Sequence, residues 1–141
     1  MANAVSNHCK FQLASGNIDF DTSSYKIILM DTGFTFDIDA DATYADVSAS
    51  ELATGNGYTQ NTKVLANVAL AEDDTNDRVN VTWDDVVWTA SGGSIGPSPG
   101  AIIFDDTSSD DTVIGFIDFS SDQTATNGGT FTVPNIEFRI A

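Results

Sequence analysis

Arg78-Val79-Asn80-Val81-Thr82-Trp83 alternates strictly between polar and apolar side chains, which places Val79, Val81 and Trp83 on one face of a half-buried strand. Upstream, Val64, Ala66, Val68 and Leu70 alternate in the same way, and the acidic run Glu72 to Asp77 separates the two segments. Together they read as a β-hairpin. Working outward, further strands are expected at Lys10–Ala14, Tyr25–Asp31, Val86–Thr89, Ala101–Asp105, Val113–Phe119 and Thr130–Ile140, separated by Gly, Ser, Asp and Asn. This many short strands in 141 residues predicts an all-β fold, an antiparallel β-sandwich or jelly roll, formed by residues 1–141 as one domain.

Two local features refine that expectation. Along the last strand the apolar positions are odd at Phe131 and Val133, then even at Ile136, Phe138 and Ile140. One extra residue at Pro134-Asn135 restores the inward facing of both halves, so a bulge or a bend at a sheet corner is predicted there. Between Thr43 and Leu52, Thr43 followed by Asp46 has the spacing of a capping box, and Tyr44 and Val47 share a helical side. One short helix is expected in that stretch. Val79, Val81, Trp83, Ile103, Phe116 and Phe138 are expected to meet in one core between two sheets.

Composition agrees and sets limits. Of the 21 acidic residues 18 are Asp and three are Glu, and Asp favours turns because its short carboxylate bonds nearby backbone amides. Sixteen Thr residues suit a pleated surface. Five basic residues (Lys10, Lys26, Lys63, Arg78 and Arg139) lie scattered in a chain of net charge −16, which excludes the basic footprint of a nucleic-acid reader and repels anionic lipid. No signal peptide or membrane span is expected. Cys9 is the single cysteine, so there is no internal disulfide framework and no zinc site built on cysteine pairs.

Candidate chemistry is sparse. Asp37, Asp39 and Asp41 could converge on calcium, but an EF-hand loop begun at Asp37 would need Gly and Glu where Ala42 and Ser48 stand. The expectation is therefore no cofactor and no metal, with those three aspartates as the one acid run worth testing; the clusters Asp73, Asp74, Asp77 and Asp105, Asp106, Asp110, Asp111 read as hairpin turns. Trp83 and Trp88 are either core residues or an aromatic sugar platform. His8 sits beside Cys9 near the terminus with no triad motif around it. No nucleophile elbow, phosphate loop or dinucleotide fingerprint occurs, and the expectation is that the protein is not an enzyme. The Ser91–Gly100 stretch, with two prolines and four glycines around Ile95, is a candidate contact loop. Either Ile95 tucks back onto the core or Ile95, Gly96, Pro97 and Pro99 grip a partner.

Several of these segments resemble a family. Ala45-Asp46-Val47, Glu51-Leu52 and Asn56-Gly57-Tyr58-Thr59 follow the pattern ADVSxxELxxGNGYT of small tailed-bacteriophage virion proteins. The similarity continues through Asp77-Arg78, Val81-Thr82-Trp83, the run Val87 to Pro97, Ala101-Ile102-Ile103, Ile117-Asp118-Phe119 and Asp122-Gln123-Thr124, which is nearly the whole chain. The resemblance implies a virion structural part with no catalytic residues. Its expected place is the outer capsid surface, as a decoration or cement protein made in the host cytoplasm, with the major capsid protein and further copies of itself as partners. A tail, neck or fibre component and a carbohydrate- or calcium-binding module are the alternatives. On this reading Ile95→Asp weakens head binding without unfolding the domain.

Overall fold

The computed structural model describes residues 3–141. Strands hold 44% of the residues and helices 11%, so the protein is all-β. In chain order the elements are β1 (Asn3–Val5), α1 (Asn7–Ala14), β2 (Tyr25–Leu29), α2 (Tyr44–Val47) running into a 3₁₀ turn (Ser48–Ser50), β3 (Ala69–Asp73), β4 (Arg78–Thr82), β5 (Val86–Thr89), β6 (Ile95–Asp105), β7 (Val113–Ala125), β8 (Thr130–Val133) and β9 (Glu137–Ile140). They form sheets in the orders β1-β7-β6-β2, β3-β4-β9 and β5-β8, with every pair antiparallel.

The four-stranded sheet is the middle layer, and its sequences show why. Ile27-Ile28-Leu29-Met30 and Ala101-Ile102-Ile103-Phe104 are unbroken apolar runs, as expected of strands buried on both faces. Ile27, Leu29, Ala101, Ile103 and Ile117 face the two smaller sheets and pack with Val81, Trp83, Trp88, Phe131 and Phe138. Ile28, Met30, Ile102, Phe104 and Phe116 face the other way, where Phe34, Phe36, Tyr44 and Val47 cover them. Phe116 therefore belongs to this second layer, stacked on Phe36 with ring centroids 5.6 Å apart, and not to the core of Val81, Trp83 and Phe138.

A bulge sets this division. Ile103 pairs with Gly115 and Phe104 with Val113, which leaves Ile114 unpaired. The extra residue turns Ile114 toward the first layer while Phe116, two residues on, faces the second. Gly115 lies at the crossing. A Cβ there would come within 2.1 Å of the Ala4 carbonyl oxygen and 2.8 Å of Phe138 Cε1, so only glycine lets β1 and β9 approach β7 this closely.

The expected bend at Pro134-Asn135 is present. Asn135 has φ 52°, and the chain leaves the β5-β8 sheet there and joins β4 as β9. The expected helix is α2, where Thr43 N and Oγ1 both donate to Asp46 Oδ2 at 2.9 Å.

Three expectations need correction. Lys10–Ala14 is not a strand but the body of α1: Ser6 caps that helix by accepting the Cys9 amide at 2.9 Å, and Cys9 and Leu13, four apart, share its inward side. Val64 to Leu70 is not a single strand, because Asn67 takes φ 55° and breaks the extended run. The hairpin partner of β4 is Ala69–Asp73, and Val64 makes only an isolated bridge to Lys26. Val79 shares a face with Val81 but lies beyond the covering layer and is 37% exposed.

Candidate interaction surface

Two of the segments that carry the resemblance, the stretch around Glu51 to Asn61 and the run Val87 to Pro97, meet in space. Glu51 is buried, and its carboxylate accepts from the Tyr58 hydroxyl, the Tyr44 hydroxyl and the Asn61 amide, each at 2.8 Å. Burial and the adjacent Glu51 carboxylate push the Tyr44 hydroxyl up to about 12 and Tyr58 further in the same direction. Asn56 and Gly57 turn the chain with φ 56° and 97°. The Asn56 side chain then donates to the Ser94 carbonyl at 3.0 Å, and the Asn56 main-chain carbonyl accepts the Ser91 amide at 3.0 Å. Gly57 is required by contact, since a Cβ would fall 2.0 Å from the Thr89 carbonyl oxygen. The polar groups of these motifs bond to one another and to backbone, holding the 51–61 segment against β2 and the start of β6.

The Ser91–Gly100 contact loop is corrected by this geometry. From Ile95 onward it is strand, the first half of β6, and Ile95 is 1% exposed and pairs with Ala125. A partner cannot reach Ile95, and Ile95→Asp would bury a charge and unfold the domain. Gly96 is half-buried against β7, and Pro99 lines a cleft of about 310 Å³ with Phe34, Phe36 and Phe116. Of the four predicted contact residues only Pro97 is exposed.

The acid clusters serve the turns they lie in. Asp37 Oδ1 accepts the amides of Asp39 and Ala40 at 3.0 and 3.1 Å, Asp41 Oδ2 accepts the Asp37 amide at 2.8 Å, and Asp39 takes the Asn7 side-chain amide. Among the described residues no three acidic, His or Cys side chains are grouped to hold a metal ion. Asp105 caps the β6–β7 turn by accepting from Thr107 and Ser108, and Asp106 pairs with Lys26 at 3.0 Å. His8 is fixed on α1 and bonds Asp110 at 2.8 Å. Burial works against the Asp110 carboxylate, yet hydrogen bonds from Thr112 and His8 hold it below its ordinary range.

Trp83 and Trp88 are each 5% exposed. Trp83 packs edge-on to Tyr25 and Phe138, and Trp88 to Phe131, so neither offers a flat face to a sugar.

The surface that sequence reasoning missed is the outer part of the β3-β4-β9 sheet. Val79, expected in the core, is 37% exposed, and Leu70 of the alternating segment before it is 42% exposed. The signal was present in Glu72, Asp73 and Asp74, since charged residues at the end of a strand mark a sheet edge. Compared with models of known protein families, with curated proteins and with solved structures, the chain matches none of them.

Proposed function

We propose that the protein is a non-enzymatic structural component of a tailed-phage virion and coats the outer surface of the head as a decoration protein. The observation that carries this reading is the ordered set of motifs, from Ala45-Asp46-Val47 to Asp122-Gln123-Thr124, that resembles small phage virion proteins along nearly the whole chain. The use of Glu51, Asn56 and Tyr58 supports it, because these motif residues spend their polar groups on internal bonds that stiffen the domain. A particle component needs a stable shape more than a reactive group.

The partner is the major capsid protein, with further copies of the chain around a symmetry axis. Subunits of net charge −16 repel one another, so contacts to the shell rest on shape, apolar surface and backbone pairing. Many weak contacts per particle then give retention by multivalency.

The test is rebinding of purified protein to heads stripped of it and, separately, to isolated tails. Saturable binding to heads in many copies is the expected result. Binding to tails alone would move the protein to the tail or neck.

A further inference from the structure

β3 ends its sheet, and among the described residues its main chain has no partner on the side away from β4. Four of its five residues are exposed. At about 3.4 Å per residue it offers an open edge roughly 17 Å long, a template for one more strand. By contrast, the outer edge of β2 is closed by bonds from Ile27 to Lys63, Leu65 to Tyr25 and Leu52 to Leu29. Among the described residues, the β2 edge is thus closed and the β3 edge is not.

The face beside that edge carries exposed apolar side chains, with Glu72 among them opposite Val79. Leu70 stands opposite Val81, which stands opposite Phe138, while Val79 stands opposite Ile140, so all five project to the same side of the sheet. Val81 and Phe138 are fully covered by the core, and Leu70 and Val79 overhang it. A shallow cleft of about 420 Å³ lies here, with Val79 and Ile140 as its apolar wall and Glu72, Asp74 and Asp77 around it. Arg78, the cation on this rim, is already held by Asp73 at 2.8 Å.

We propose that the β3 edge takes up an extended segment of a different protein, apolar at alternate positions and carrying Lys or Arg next to them. The main chain of that segment pairs with β3, an apolar side chain of it stands beside Leu70, and a lysine or arginine of it reaches Glu72, the neighbour of Leu70 on the same face. A second copy of the chain fits poorly, because a net charge of −16 opposes self-pairing and favours a partner of the other sign. The inference deepens the virion reading by naming the chemistry of the contact, and it rests on that reading only for the partner's being part of the particle.

The test is an NMR titration of the whole isotope-labelled protein with two seven-residue peptides. Each alternates valine and threonine, one between terminal lysines and the other between terminal glutamates. The lysine peptide is expected to shift the amides of Ala69 to Asp73 and Val79, and to bind several-fold more weakly when sodium chloride is raised from about 0.05 M to about 0.5 M. Leu70→Lys and Val79→Lys, both at exposed positions, are expected to abolish those shifts while the rest of the spectrum stays native. Val87→Lys, at an exposed apolar residue of β5, should leave them intact. Shifts confined to other strands, equal binding of the glutamate peptide, or a concentration-dependent dimer through β3 would each overturn the proposal. Heads that rebind the protein while the lysine peptide leaves β3 untouched would sink the edge contact and spare the virion reading. Peptide binding at β3 without head binding would do the reverse.

Discussion

Tyr58 donates its hydroxyl hydrogen to Glu51 Oε1 at 2.8 Å and accepts the Leu29 amide at 3.0 Å through the same oxygen. One hydroxyl thus links the 3₁₀ turn after α2 to β2 in the middle layer. Tyr58→Phe keeps the ring against Trp88 but strips both the carboxylate and the Leu29 amide of a partner in a buried place. The expected loss is about 2–3 kcal/mol in a urea titration. A loss under ~0.5 kcal/mol would show that solvent replaces the hydroxyl and that the network is not closed.

Gly115 is the position where β1 and β9 crowd β7. Gly115→Ala is expected to displace β1, since the new methyl group would meet the Ala4 carbonyl oxygen at 2.1 Å. Overpacking of this kind costs about 1–3 kcal/mol, and here the obstacle is backbone, which yields little. Hydrogen exchange should report it first, as lost protection at Ser6, whose amide donates to the Ile114 carbonyl at 2.9 Å. Unchanged protection there would mean that β7 moves instead.

Ser94 and Ile95 separate surface from core at adjacent positions. Ile95→Ala removes a buried side chain and should cost about 2–5 kcal/mol. Ser94→Ala, at the exposed position just before β6, is expected to leave stability little altered. Equal stability of the two variants in guanidinium would contradict the placement of β6.

Alkaline pH should destabilise the fold through Cys9. Burial, aided by the negative charge of Asp105, pushes the thiol from its ordinary 9 up to about 12. The unfolded chain gives up this proton first, so the native state binds more protons between those values and stability falls as pH rises through that window. The contribution is full below about pH 9 and gone above about pH 12, a loss on the order of 4 kcal/mol. Tyr44, raised to about 12 by burial and then Glu51, adds in the same sense. Cys9→Ala should flatten the stability profile between pH 9 and 11, and an identical slope in the variant would exclude the thiol as its source.

Patterns set by one or two neighbouring residues were legible without the tertiary structure. The alternation of Arg78 to Trp83 is β4, the spacing of Thr43 and Asp46 is the cap of α2, and the parity switch at Pro134-Asn135 is the corner between β8 and β9. Each is a short-range steric or hydrogen-bonding constraint, so the local sequence alone is enough to produce it. What the tertiary structure decided was which apolar residues are covered. Leu70 and Ile95 are both aliphatic residues in strands, yet Leu70 is 42% exposed outside the core and Ile95, paired with Ala125, is inside it. Likewise Lys10–Ala14 chose helix over strand because Ser6 capped it and Cys9 and Leu13 found one interior face to enter. Burial depends on what arrives from distant parts of the chain, and the order and overhang of the sheets carry that information where the spacing of side chains along one strand does not.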